Sequence, residues 1–186
     1  MVAAESLAGH YLRWGGPQRK DVLHGAVIFP VGAELLSRAL CGKTAGALRR
    51  NLLTELVPQL RRIGMEVTEN RSAGTLTVTF GGHTNRYLIF GGRDESSAAL
   101  IQGITLAGVL LDEAALMPRS FVEQAVARCS VRGSRLWFNC NPEGPEHWFY
   151  KEWIQRAEAR GALRLHFTME DNPGLAPEIR QRYERL

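Results

Sequence analysis

Asp112 and Glu113 close the apolar run Val109-Leu110-Leu111, and two adjacent carboxylates at the end of a strand have a definite chemistry. The first can enter the shell of a Mg²⁺ ion carried by a nucleotide, and the second can orient or deprotonate the water that attacks the terminal phosphate. ATP hydrolysis is therefore the first chemistry to weigh. A solvated acidic pair after a buried strand satisfies the same pattern, so the pair needs partners elsewhere. In open parallel sheets ligands bind beyond the carboxyl ends of the strands, which directs attention to the next such end. Leu136-Trp137-Phe138 reads as that strand, and it runs into Asn139-Cys140-Asn141-Pro142. An Asn there can contact a γ-phosphate or its water and register whether the phosphate is still attached. Asn-Pro is equally a common turn, with Pro142 fixing the exit of the chain.

Phosphate binding by a P-loop requires G-x-x-x-x-G-K-[ST], because backbone N–H groups in a glycine-permitted turn wrap the phosphates while Lys and Ser/Thr handle charge and Mg²⁺. Gly42-Lys43-Thr44 supplies the last three residues and precedes a helical pattern. Ser37 stands where the first glycine belongs, and Arg38-Ala39-Leu40-Cys41 offers none for the turn. Other chemistries find less support. Cys41, Cys129 and Cys140 are widely spaced and odd in number, which fits small buried side chains rather than a disulfide framework or a C-x-x-C metal site. The five histidines show no H-x-x-x-H spacing. No serine or cysteine has a recognisable elbow or paired base. Trp148, Phe149 and Trp153 have helical spacing, which favours core packing over stacking on bases. Trp14 with Pro17-Gln18-Arg19 lies in the polar N-terminal stretch that reads as a leader.

These residues must be positioned by a layered scaffold. Residues 1–20 are polar and read as a leader, with one domain over 21–186. Leu23–Val27 reads as a short buried strand, and Glu34–Leu40 is ambiguous between strand and helix. Leu48, Leu52, Leu56, Leu60 and Ile63 recur at helical spacing from Ala45, with Pro58 expected to kink or break the helix and Gly64 to stop it. Met65–Thr68, Leu76–Phe80 and Tyr87–Phe90 read as strands joined by Gly-rich hairpin turns. Leu106–Leu111 reads as a buried strand, Ser120–Arg128 as a helix and Arg135–Asn139 as a strand. Glu146–Arg160 returns to helical spacing, and Leu163–Thr168 closes with a strand. Strands alternating with helices predict an α/β layered sheet with a largely parallel core and an inserted hairpin region.

The bulk numbers agree with one globular domain: 186 residues, 45% hydrophobic and 23% charged. No run approaches the roughly 18 apolar residues that a membrane span needs, and the N-terminus lacks the basic-then-apolar order of a secretory signal. A cytoplasmic protein with no membrane association is expected. A net charge of +4 and a pI near 9.2 suit a polyanion without requiring one. The arginines cluster at 49, 50, 61 and 62 and again toward the end of the chain, patterns that also fit solvated helix faces.

Taken in order, Ile101-Gln102-Gly103, Thr105-Leu106-Ala107-Gly108, Asp112-Glu113, Pro118, Arg128, Asn139-Cys140-Asn141-Pro142, Pro145, His147-Trp148 and Asp171-Asn172-Pro173-Gly174-Leu175 resemble the ATPase half of the large terminase subunit of tailed bacteriophages. The resemblance runs from about Gly42 to the end and holds its order across several elements. It implies a P-loop NTPase-like fold and a motor that packages double-stranded DNA into an empty capsid. By carry-over Asp112 holds Mg²⁺, Glu113 acts on the water, Asn139 contacts the nucleotide, and Asn141 joins the catalytic strand-end motif that couples hydrolysis to movement. ATP and Mg²⁺ are the implied cofactors. Double-stranded DNA, a small terminase subunit and a portal protein are the implied partners, with a homo-oligomer possible and a transient site at the capsid portal of the bacterial host.

The resemblance also places the family's P-loop upstream of Gly42, after a strand similar to Val22-Leu23-His24-Gly25-Ala26-Val27. Gly25 matches its first glycine, but Ile28-Phe29-Pro30-Val31-Gly32-Ala33-Glu34 follows at once, so the rest of the loop and its helix are missing. Lys43 and Thr44 correspond to a Gly-Lys-Thr-like segment of the next strand-to-helix unit. No nuclease domain follows Asp171-Asn172-Pro173, so cutting of DNA is not expected of these residues. Two readings result: an ATPase module with an impaired phosphate cradle, in which Lys43 and Thr44 take over phosphate binding, and a non-catalytic remnant that binds DNA or a partner.

Overall fold

A computed structural model describes residues 10–13, 37–141 and 143–167 and the single positions 176, 178 and 181, with side chains from residue 37 onward. Eight strands form one sheet: β1 (His10–Arg13), β2 (Arg38–Gly42), β3 (Glu66–Asn70), β4 (Thr75–Phe80), β5 (His83–Gly91), β6 (Gly108–Asp112), β7 (Arg135–Cys140) and β8 (Leu163–His166). Their spatial order is β3-β4-β5-β2-β6-β7-β1-β8. From β5 to β8 every neighbouring pair is parallel, whereas β3, β4 and β5 form an antiparallel meander at one edge. The parallel core and the inserted hairpins are those expected from the sequence.

Side chains alternate across the strands and sort into two cores. Ala39, Cys41, Val109, Leu111, Phe138 and Cys140 face a layer built from the 3₁₀ helix Glu95–Ile101, the helix Arg119–Arg128 (α3) and the π turn Tyr150–Ile154. Leu40, Leu76, Val78, Tyr87, Ile89 and Leu110 face the helical run 45–62. That run comprises α1 (Ala45–Leu48), a π turn (Arg49–Leu53) and α2 (Thr54–Arg62). Its stripe Leu48, Leu52, Leu56 and Leu60 is buried as the spacing requires.

Several expectations need correction. Ile63 is 61% exposed: it is the cap residue of α2, turned away as Gly64 takes a φ of +85° to end the helix. Pro58 does not break α2, which runs on to Arg62; the irregularity is the π turn ending at Leu53, ahead of the proline. The segment after Trp148 is a π turn followed by turns rather than a regular helix. Residues 10–13 form a strand of the sheet, an element that the sequence reading did not include. β1 pairs with β7 on one side and β8 on the other, so its ladder partners rather than an apolar pattern hold it. The strand expected at Leu23–Val27 and Gly25 lie outside the described residues.

The three glycines at the ends of β2 and β5 set how closely the layers approach. A Cβ on Gly92 would stand 2.6 Å from the Phe121 ring of α3, and one on Gly91 would stand 2.9 Å from the Ala45 nitrogen. Gly92→Ala is expected to cost about 1–3 kcal/mol by overpacking against a fully buried ring, read as a lowered Tm. An unchanged melting curve would show that Phe121 can move aside.

Candidate functional site

The carboxyl ends of β2, β6, β7 and β1 lie side by side along one rim of the sheet, where ligands of open parallel sheets bind. Asp112 is the last residue of β6 and sits opposite Asn139 in β7, which in turn sits opposite Leu12 of β1. Both polar side chains are buried, Asp112 to 2% exposure and Asn139 to 6%. The Asn139 Nδ2 donates to Asp112 Oδ1 at 2.6 Å, a charge-assisted bond that fixes which way the amide faces. Asn139 Oδ1 is then left buried with no hydrogen-bond partner. An orphaned acceptor inside a folded domain is costly, and a bound water, ion or ligand is the ordinary remedy.

Glu113 follows in the left-handed region, with φ +59° and ψ +44°, and among the described residues it is the only non-glycine at positive φ. Its carbonyl accepts from Leu116 N at 2.9 Å, closing a 3₁₀ turn over Ala114–Leu116. Ala114 and Ala115 are buried beneath that turn, so the backbone reverses sharply while the Glu113 side chain stays half-buried at the rim. Strain of this kind collects at functional positions. Asn141 is exposed just past the end of β7, on the same rim, and Pro142 lies outside the described residues. The sequence-predicted Asp112, Glu113, Asn139 and Asn141 are therefore brought together.

Lys43 and Thr44 occupy the same rim but are engaged in other contacts. The Thr44 hydroxyl accepts from Ala47 N at 3.0 Å and caps α1. The Lys43 ammonium donates to the carbonyls of Arg93, at 2.9 Å, and Leu116, at 2.8 Å. Gly42 lets the turn close, since a Cβ there would stand 2.9 Å from the Leu48 Cβ. In the structure the tripeptide joins the strand ends, which its resemblance to the tail of a P-loop did not anticipate. Its β2 position, between β5 and β6, also separates it from the β7–β1 pair.

The remaining candidates are structural. Burial pushes the Cys129 thiol up to about 12 and raises that of Cys41 as well, which disfavours a thiolate at either. Among the described residues no group of three His, Cys, Asp or Glu side chains is placed to hold a metal ion by itself. Mg²⁺ bound with a nucleotide needs no such cage, because one or two carboxylates suffice when phosphates and waters complete the shell. Buried Asp112 and the orphaned Asn139 Oδ1 fit that requirement. Phe149 and Trp153 pack on Phe138 as core. Of the arginine cluster, Arg49 pairs with Glu69 at 2.7 Å and Arg61 donates to the Val67 carbonyl at 2.9 Å. No helix among the described residues is long and apolar enough to cross a membrane.

Comparison with known proteins identifies the family and the fold. Residues 59–186 match the family described as terminase large subunit, T4likevirus-type, N-terminal. The large terminase of a thermophilic bacteriophage superposes with a TM-score of 0.89 at 45% identity, over 97% of this chain and 45% of that one. The same thermophilic-phage protein in complex with ADP gives 0.89 at 43% identity, over 96% and 45%. The large terminase ATPase domain of Thermus phage P74-26 shares the fold, with a TM-score of 0.71 at 20% identity over 97% of this chain and 82% of that one. No curated protein matches the chain. The chain spans under half the length of the thermophilic-phage terminase, and its fold is the P-loop NTPase-like α/β sheet of the ATPase part. The chain belongs to the family of terminase large subunits of the T4likevirus type, of which it is an N-terminal, ATPase-module homologue.

Proposed function

We propose that the chain is the ATPase module of a motor that drives double-stranded DNA into a capsid, with Asp112, Glu113, Asn139 and Asn141 forming the metal-and-water half of its nucleotide site. The observation that carries this is the buried Asp112–Asn139 pair at adjacent strand ends, with an unpartnered Asn139 oxygen beside it. Mg²⁺ bound with ATP would supply positive charge to the phosphate, and Asp112 is the residue that would hold the ion. Asp112, already oriented by Asn139, offers it a fixed carboxylate. Glu113 accepts a proton from the attacking water, and Asn141 at the exposed strand end contacts that water or the phosphate and passes the change to the chain beyond β7. Complexes of the thermophilic-phage terminase with ADP and with ATP-gamma-S support nucleotide binding in the family.

The phosphate half is weaker. Lys43 spends two of its donors on carbonyls, and no G-x-x-x-x-G-K-[ST] run occurs in the chain. We therefore assign weak nucleotide binding and impaired turnover. The commitment of Lys43 also favours a second reading, a non-catalytic module that binds DNA or a partner. Double-stranded DNA, a small terminase subunit and a portal protein are the partners in either case, in the bacterial cytoplasm and at the portal.

Titration of the purified chain with ATP at up to millimolar concentration, with and without Mg²⁺, separates the two. Saturable Mg²⁺-dependent binding that Asp112→Ala weakens about tenfold or more supports the ATPase module. Absence of binding, or binding indifferent to both Mg²⁺ and Asp112→Ala, leaves the non-catalytic module.

A further inference from the structure

Lys43 stands at the end of the strand that separates β5 from β6, and its side chain touches the loop beyond each of these neighbours. Arg93 lies just past the end of β5, and Leu116 closes the turn that begins at Glu113. One ammonium thus ties three adjacent strand ends together. The backbone around it is fixed independently. Gly92 N donates to Gly42 O at 2.8 Å, and Gly91 admits Thr44 to within 3.1 Å of where its own Cβ would be. Thr44 caps α1 on the other side. A lysine side chain normally keeps its rotamer freedom at a surface. Here it is held at two carbonyls by hydrogen bonds of 2.9 and 2.8 Å, and no carboxylate among the described residues forms an ion pair with it.

The topology gives that grip its significance. The chain leaves β2 toward β3 and the hairpin edge but leaves β6 toward β7, so the crevice of the sheet opens between β2 and β6. Lys43 spans this crevice and ends on Leu116. Leu116 N returns to Glu113 O and Met117 N to Ala114 O, so the turn is anchored from within by two hydrogen bonds and from outside by Lys43. A residue held at positive φ persists only where its surroundings over-determine it, and Glu113 is such a residue.

We propose that Lys43 is a positioning residue for Glu113: its ammonium, fixed between the carbonyls of Arg93 and Leu116, holds the turn that aims the Glu113 carboxylate, and it is not a phosphate ligand. The catalytic consequence rests on the ATPase reading above, whereas the clamp itself does not. Removing the ammonium loosens residues 113–117 and lowers turnover at saturating nucleotide, and it leaves nucleotide affinity unchanged.

Three variants of the 186-residue chain test this: Lys43→Met, which keeps the aliphatic stem, Lys43→Arg, which keeps charge and donors, and Glu55→Gln as an exposed control. Hydrogen exchange followed by mass spectrometry reads the turn directly. Lys43→Met is expected to speed exchange over 114–117 by about tenfold, with β4 unchanged and Lys43→Arg intermediate. Equal exchange in wild type and Lys43→Met overturns the clamp. Mg²⁺·ADP titration reads the alternative role. A loss of affinity of about tenfold or more in Lys43→Met marks a phosphate ligand and overturns the proposal, whereas affinity within about twofold supports it. Failure of the wild type to bind nucleotide sinks the ATPase reading and leaves the exchange result to decide the clamp.

Discussion

Glu113→Gly is expected to raise the melting temperature while removing ATP turnover. Glu113 sits at φ +59°, where a side chain collides with its own backbone and glycine does not. Relief of that strain, less the added freedom of glycine in the unfolded chain, leaves a net gain of about 1 kcal/mol, which for a chain of this size is about 2–4 °C. Glu113→Gln keeps the strain and the shape but loses the proton acceptor, so its melting temperature stays put and its turnover falls by roughly 10²–10⁴-fold. Both variants keep the Asp112–Asn139 pair, so Mg²⁺-dependent nucleotide binding is expected to survive in each. Differential scanning calorimetry and phosphate release at saturating ATP measure the two effects. A Glu113→Gln chain with undiminished turnover would place the proton acceptor elsewhere. A Glu113→Gly chain that melts lower would mean that the side chain contributes more packing than its backbone costs.

That trade of stability for chemistry was not legible in the sequence. Val109-Leu110-Leu111 announces a buried strand and Asp112-Glu113 announces acid at its end, but periodicity carries no information about a backbone sign change between them. Asp112 and Asn139 were recognisable separately, each at the end of a strand. Their hydrogen bond depends on β6 and β7 being neighbours in a register that pairs the two residues, a tertiary fact. The helix from Ala45 was readable because four leucines repeat at the helical period. Its π turn was not, since the five residues of that turn keep the same apolar stripe. β1 escaped for the opposite reason: four residues carry too little pattern, and the strand is held by ladders to β7 and β8. Lys43 shows how a motif misleads. Gly-Lys-Thr before a helix suggests phosphate, while the same three residue types also serve a close turn, a carbonyl clamp and an N-cap.

Phe138 carries the largest expected effect on stability. It immediately precedes Asn139 on β7, is fully buried, and faces the opposite side of the sheet from the Asp112–Asn139 pair. Its ring meets Phe149 edge-on at 5.6 Å and Trp153 at 4.6 Å, and Arg160 lies over Trp153 at 4.3 Å. This cluster is what fastens the π turn Tyr150–Ile154 to the sheet, because that segment lacks the regular helical ladder that would stiffen it alone. Phe138→Ala is expected to cost about 3–5 kcal/mol in urea denaturation, the transfer of a large ring plus the cavity it leaves. Phe138→Leu refills most of the space and is expected to cost about 1.5 kcal/mol or less. Because β7 also supplies Asn139, loss of the ring frees the strand end to shift. Mg²⁺-dependent nucleotide binding is then expected to weaken in Phe138→Ala even where the chain remains folded, and to persist in Phe138→Leu. Destabilisation below about 1 kcal/mol in Phe138→Ala would show that the aromatic cluster collapses to fill the gap, in which case the segment after β7 is held by contacts other than this ring.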